Sequence, residues 1–232
     1  MNRHRLDRSR CGVLVLAKAP VAGQVKTRLA VDVGARTAAD LAAASLLDTL
    51  AACARVAPPG HRVVALAGDL EQAARGRAIR AALAGWAVVP QRGEDLGSRL
   101  AAAHVDAAEL VRAPVVQVGM DTPQLSDTQL HDVISALEHP RCDAVLGPAP
   151  DGGWWVLGVA SPRWTVGLAD VAMSRADTGF RTWEMLRRAG ARVRVAATLQ
   201  DVDTAGDAEE VSHHAVGSRF AAAWECAKRV TA

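Results

Sequence analysis

The sequence predicts an α/β fold built on a mainly parallel sheet. Short β-branched apolar runs alternate with longer alanine- and leucine-rich segments, the pattern of strand-helix-strand units. Several of those runs are continuously apolar, as strands covered by helices on both faces must be. With 232 residues, half of them apolar, the chain can bury one sizeable core without disulfides or a structural metal.

In chain order, residues 1–10 read as a disordered basic arm and 11–232 as a single domain. Strands are expected at 12–17, 62–68, 86–90, 114–119, 143–147, 153–159 and 192–197. Between the first two, Ala35–Val56 carries Leu46, Leu50 and Cys53 at helical spacing and is closed by Pro58, Pro59 and Gly60, which predicts a long helix. Ser126-Asp-Thr-Gln129 has the form of a capping box and opens a helix running to about Glu138. A further helix should end near Gly190. The last, 205–228, is amphipathic and is expected to pack back on the sheet.

Composition excludes several classes. A net charge of +2 from 27 basic and 25 acidic side chains leaves no broad cationic face for a nucleic acid. Cys11, Cys53, Cys142 and Cys226 lie far apart with no metal-ligand spacing, which points away from a zinc site and toward a reducing cytoplasm. His213 and His214 are adjacent, so on a helix they diverge rather than share a metal. The basic start, the apolar 11–17 run and Ala17-Lys-Ala19 imitate a signal peptide. The run is short and β-branched, however, and meets Lys18 and Pro20 at once, so it reads as a strand. No stretch is expected to be long enough to cross a bilayer.

Ligands of open α/β sheets gather beyond the carboxyl ends of the strands, where the loop Lys18-Ala-Pro-Val-Ala-Gly-Gln-Val-Lys-Thr-Arg28 belongs. Lys18, Lys26 and Arg28 supply three cations, Gly23 allows close backbone approach, and Arg28 can grip two oxygens. Solvated charge on an ordinary loop explains the composition as well. Neither the phosphate-loop motif of ATPases nor a dinucleotide glycine fingerprint is present.

Three acidic patches follow. The run 115–119 ends at Asp121 with Pro123 just beyond, which sets a hard carboxylate at the ligand edge, suited to Mg²⁺ or Mn²⁺ on phosphate oxygens or else to capping a turn. Asp151-Gly-Gly153 forms either a site or a favoured hairpin turn. Asp201-Val-Asp203 follows the last strand and offers a carboxylate pair, while Asp203 or Thr204 can cap the next helix.

Together these segments, over about 12–207, resemble a bacterial family of the nucleotide-diphospho-sugar transferase superfamily commonly labelled arsenosugar-associated glycosyltransferases. The matching motifs are Lys18-x-Pro20-x-x-Gly23-x-x-Lys26-Thr-Arg-Leu29, Gln91 with Asp95-Leu-Gly97, Gly119-x-Asp121-x-Pro123, Gly147-Pro148-x-x-Asp151-Gly-Gly153 and Asp201-Val-Asp203. Lys26-Thr-Arg-Leu29 also looks like the Lys-Ser-Arg-Leu stretch of 2-phospholactate guanylyltransferases of the same superfamily. The chain departs from the pattern at Met120, where a small polar residue is usual, and at Trp154 and Trp155, where tyrosine or another aromatic is usual.

The resemblance implies a GT-A-like, Rossmann-type α/β/α sandwich with a mixed, mostly parallel sheet. It implies nucleotide bound by Lys18, Pro20, Gly23, Lys26, Thr27, Arg28, Gln91, Asp95 and Gly97, and Mg²⁺ or Mn²⁺ held by Asp121 and Asp203, with Asp201 as the alternative to Asp203. Lys26, Asp121 and Asp151 are the expected catalytic residues, and Asp151, Gly152, Gly153 and Trp154 the acceptor or sugar side. The expected activity is transfer of a nucleotidyl group from a nucleoside triphosphate to a small phosphorylated or acidic acceptor. Glycosyl transfer from a nucleotide sugar and non-catalytic nucleotide binding are the alternatives. Neither nucleic acid nor membrane is an expected partner.

Overall fold

A computed structural model of the protein describes residues 11–231, with side chains to residue 229; the expected basic arm at 1–10 lies outside the described residues. Seven strands, β1 (Gly12–Lys18), β2 (Arg62–Ala67), β3 (Ala87–Pro90), β4 (Val115–Val118), β5 (Ala144–Pro148), β6 (Trp154–Val159) and β7 (Val193–Val195), form one sheet. Every expected strand is present, within a few residues at its ends. Their order is β3-β2-β1-β4-β6-β5-β7. All neighbours run parallel except β6, which is antiparallel to both β4 and β5.

The helices are α1 (Leu29–Val33), α2 (Ala35–Val56), α3 (Gly76–Ala82), α4 (Leu96–Val111), α5 (Asp127–Glu138), α6 (Thr178–Arg188), α7 (Ala205–His214) and α8 (Arg219–Thr231), with a 3₁₀ segment at Pro162–Asp170. Alternate residues of β1 face opposite layers, as strand geometry requires. Val13, Val15 and Ala17 join Leu46, Leu50 and Cys53 of α2 and Leu130 and Val133 of α5. Leu14 instead meets Ala103, Ala107 and Val111 of α4. β4 is buried along its whole length between these layers.

Two expectations are corrected. The segment 205–228 is not one helix but two, broken where Ser218 N–H donates to Ala215 O. Nor does it pack back on the sheet: Phe220, Trp224 and Ala227 of α8 lie against Leu41 and Ala44 on the outer side of α2. That second apolar face explains the other correction. α2 spans 22 residues with an 18-residue window of mean hydropathy 1.3, long and apolar enough by length and composition to cross a membrane. Here most of that window is buried, between the sheet on one side and α8 on the other.

The topology fixes where a ligand can sit. From β1 the chain moves outward to β2 and β3, then returns to place β4 on β1's other flank. The crevice beyond the carboxyl ends of β1 and β4 is therefore the topological switch point of the sheet.

Candidate active site

The loop leaving β1 is anchored near its start. Lys18 N–H donates to Met120 Sδ at 3.2 Å, and Ala74 N–H donates to Pro20 O at 2.8 Å, tying the loop to the entry of α3. Gly23 sits at φ 78°, and a Cβ there would meet nothing within 4 Å, so glycine serves the backbone conformation and not a close contact. Lys26 is also left-handed, at φ 46°, a state that costs a residue with a Cβ about 1–2 kcal/mol. Lys18 Nζ donates to Gln24 O at 2.9 Å. The backbone amides of residues 26–28 make no backbone hydrogen bond within the described residues.

Asp121 and Asp203 converge on Lys26. Its Nζ lies 3.0 Å from Asp121 Oδ1 and 2.9 Å from Asp203 Oδ1, with only 8% of the side chain exposed. Asp203 Oδ1 accepts a hydrogen bond, whereas Asp121 Oδ1 is at ion-pair distance but out of line for one, and is buried with no hydrogen-bond donor. Arg28 Nη1 reaches Asp203 Oδ2 from the solvent side at 3.5 Å. Burial works against the Lys26 ammonium, but the Asp121 and Asp203 charges outweigh it and hold its pKa above the ordinary value. Burial pushes the Asp203 carboxyl up, and Lys26 followed by Arg28 overcomes that and holds it below the carboxylate range.

The chain brings Asp203 to this point through backbone bonds. Leu199 N–H donates to Pro148 O, and Val202 N–H to Asp121 O at 3.0 Å, which stitches the segment after β7 to the end of β4. Thr204, not Asp203, caps α7: Thr204 and Asp207 form a capping box, and Asp207 Oδ2 also accepts from Asp203 N–H at 3.1 Å. Asp203 is thereby oriented with its carboxylate free for Lys26.

Asp151 lies in the turn joining β5 to β6. Its Oδ1 accepts from Gly153 N–H at 2.7 Å, an Asx turn, and the side chain stays exposed. Asp201 comes within electrostatic reach of it. Burial, then the charges of Asp151 and Asp203, push Asp201 up to about 6. Gly152 and Gly153 pack on the start of α6, where Gly179 N–H donates to Gly152 O at 2.8 Å. Trp154 and Trp155 point to opposite faces: Trp155 is buried with Nε1 donating to Ala197 O, while half-buried Trp154 donates to Thr182 Oγ1 of α6.

The second nucleotide motif takes up backbone work. Gln91 Nε2 donates to Ala17 O and Ala65 O, joining the carboxyl ends of β1 and β2. Asp95 caps α4 in a capping box with Ser98. Gly97 faces the 3₁₀ segment so closely that a Cβ would lie 2.2 Å from Leu168 O.

Met120 stood out in the sequence only as a departure from the resembling family, and Ser45, which supports it, was missed. Met120 lines the crevice, and its carbonyl accepts from buried Ser45 Oγ at 2.7 Å. Nothing in the sequence marks Ser45, since a serine on a core helix face carries no signal of its partner.

Lys18, Lys26, Thr27, Arg28, Asp121 and Asp203 thus line one cleft of about 250 Å³. Among the described residues no group of three His, Cys, Asp or Glu side chains gathers as a metal cage. The donor set nevertheless fits a hard divalent ion completed by substrate oxygens: two converging carboxylates, one with a buried oxygen that no hydrogen bond satisfies. Asp121 and Asp203 would be its ligands.

The chain belongs to the family described as "Uncharacterized protein conserved in bacteria (DUF2064)", whose profile matches residues 49–175. That span holds Asp121 and the 151–154 turn but neither the cationic loop nor Asp203. Among curated proteins no sequence matches. Among solved structures, a candidate nucleotide-diphospho-sugar transferase from Desulfovibrio desulfuricans G20 is 27% identical, with TM-score 0.79 over 95% of this chain and 96% of that one. A cytidylyltransferase from Leptospira borgpetersenii serovar Hardjo-bovis (strain JB197) is 12% identical, with TM-score 0.54 over 95% and 94%. The 4-diphosphocytidyl-2C-methyl-D-erythritol synthase from Anaerococcus prevotii DSM 20548 is 12% identical, with TM-score 0.56 over 93% and 98%. At such identity these last two speak to the fold alone, which is of the nucleotidyltransferase and GT-A-like kind.

Proposed function

We propose that this member of the DUF2064 family is a nucleotide-using transferase that moves a nucleotidyl group from a nucleoside triphosphate to a small phosphorylated or acidic acceptor. The observation that carries the reading is the cleft of about 250 Å³ at the switch point, lined by Lys18, Lys26, Arg28, Asp121 and Asp203, with Lys26 standing between the two carboxylates. In this reaction an acceptor oxygen attacks the α-phosphorus and the bond to pyrophosphate breaks, so negative charge must be met at several phosphates at once.

Lys18 and Arg28 stand at the cleft's open side to hold the departing phosphates, with the unengaged amides of residues 26–28 beside them. Asp121 and Asp203 are the ligands for Mg²⁺ or Mn²⁺, which when bound neutralises phosphate oxygens. Asp151 orients the acceptor, with Asp201 as a second carboxyl within its electrostatic reach. Of the two resembling families, the 2-phospholactate guanylyltransferases belong with this reading and the arsenosugar-associated glycosyltransferases with the next.

A second reading, glycosyl transfer from a nucleotide-diphospho-sugar, is favoured by the description of the Desulfovibrio protein, the similar structure with 27% identity. There the leaving group is a nucleoside diphosphate, and Asp151 contacts the sugar or acts as base. A screen of nucleoside triphosphates and nucleotide sugars with Mg²⁺ or Mn²⁺, following pyrophosphate and nucleoside diphosphate separately, tests both. Pyrophosphate release supports nucleotidyl transfer; diphosphate release from a nucleotide sugar reverses the order. Nucleotide binding with neither product reduces the protein to a binding module.

A further inference from the structure

Lysine is rare in this chain: 24 arginines stand against three lysines, Lys18, Lys26 and Lys228. Two of the three lie in the cleft loop. An ammonium is a compact point charge on a flexible stem, whereas a guanidinium is a planar fork, so a lysine is suited to a cation that must fit one point and also leave it. Lys26 occupies such a point. Its Nζ is 3.0 Å from Asp121 Oδ1 and 2.9 Å from Asp203 Oδ1, where the two carboxylates converge. The ammonium is the sole compensation for buried Asp121 Oδ1 among the described residues.

A divalent ion of the magnesium class binds carboxylate oxygens at about 2.1 Å. Closing Asp121 and Asp203 on such an ion requires the space that Lys26 Nζ fills, and two cations cannot share it. Arg28 does not compete in this way, because it approaches the far oxygen of Asp203 from solvent with its side chain 74% exposed.

We propose that Lys26 is a resident counterion of the metal position: a divalent ion enters between Asp121 and Asp203 as Lys26 leaves them, and the phosphate oxygens of the nucleotide are the partner to which Lys26 moves. The inference rests on the metal assignment in the proposed function and adds its regulation. Metal alone must displace an ammonium that has nowhere equivalent to go. With phosphates in the cleft the ammonium exchanges one anionic partner for another, so nucleotide and metal each favour the other's binding, as linkage requires. Carboxylates are thus kept paired before the nucleotide arrives.

The test is Mn²⁺ titration of the full, metal-free chain without nucleotide, read from loss of the free-ion electron paramagnetic resonance signal. Lys26→Met is expected to tighten Mn²⁺ binding by about tenfold or more, the scale of ordinary coupling between sites. Arg28→Met removes a nearby charge without emptying the point, and its gain should stay below about fivefold, as for an exposed pair. Equal gains from the two variants, or none from Lys26→Met, would overturn the proposal.

A measurement on the wild type covers the case in which Lys26→Met does not fold. Reductive methylation with formaldehyde, followed by peptide mass spectrometry, should spare Lys26 in the metal-free protein and modify it when Mn²⁺ saturates. Continued protection of Lys26 at saturation refutes displacement. If the wild type takes up no Mn²⁺ even with a nucleoside triphosphate present, the metal assignment itself falls. Mn²⁺ uptake that is indifferent to Lys26 overturns the counterion role alone.

Discussion

Replacing Gly97 by alanine separates two roles for one residue. The resemblance assigns Gly97 to the nucleotide, whereas the structure sets it on the first turn of α4 against the 3₁₀ segment. There a Cβ would lie 2.2 Å from Leu168 O and 3.0 Å from Leu168 C, where ordinary contact begins near 3.4 Å. The obstacle is backbone, so α4 and residues 162–170 must separate by about 1 Å, with loss of dispersion contacts along their interface. Leu100, Trp164 and Leu168 lie in that interface.

Overpacking of this kind costs about 1–3 kcal/mol. Against it, alanine gains up to about 1 kcal/mol over glycine in a helix, part of it through a less disordered unfolded chain. The clash with backbone wins, leaving a net loss of about 1–2 kcal/mol. At about 2–4 °C per kcal/mol for a chain of this size, the melting temperature should fall by roughly 2–8 °C. Nucleotide affinity measured calorimetrically below the transition should stay at the wild-type value. An unchanged or raised melting temperature refutes the packing argument, since alanine without a clash stabilises. A fall in affinity without a fall in melting temperature returns Gly97 to the nucleotide.

Three further outcomes follow from the charges. Asp201 has a folded pKa of about 6 against an ordinary value of 3.8, so its ionised form opposes folding by up to about 3 kcal/mol, reduced to ~1–2 by its partial exposure. Because the folded value is the raised one, that penalty is full above pH 6 and fades as pH falls toward 4. In denaturant titrations of metal-free protein, Asp201→Asn should exceed the wild type in stability at pH 8 and match it near pH 4. Asp143 is 7% exposed and accepts from Arg192 N–H, Nε and Nη2; Asp143→Asn should cost about 1–3 kcal/mol, read as a lower midpoint of chemical unfolding. Lys18→Ala combined with Arg28→Ala should weaken triphosphate binding by roughly tenfold or more with the circular dichroism spectrum intact; unchanged affinity removes the phosphate role of the loop.

How far the sequence reveals the protein depends on whether a feature is local. All seven strands were legible because each is a short run whose burial is set by its own residues, and the Ser126 capping box was legible because its partners are three residues apart. The break between α7 and α8 was not, since the amphipathic pattern of 205–228 is nearly continuous and its apolar face answers to α2, some 160 to 190 residues earlier. At the site, residue types were legible but pairings were not. Lys26 read as a phosphate grip because a lysine in a glycine loop carries no mark of the carboxylates 95 and 177 positions away, at Asp121 and Asp203. Gln91 and Asp95 likewise belong to a recognisable motif, while their hydrogen bonds serve strand ends and a helix cap. What long-range pairing adds is therefore the state of the site: a cluster listed by type reads as cations for phosphate and carboxylates for metal, and only the fold shows those two sets neutralising one another at Lys26.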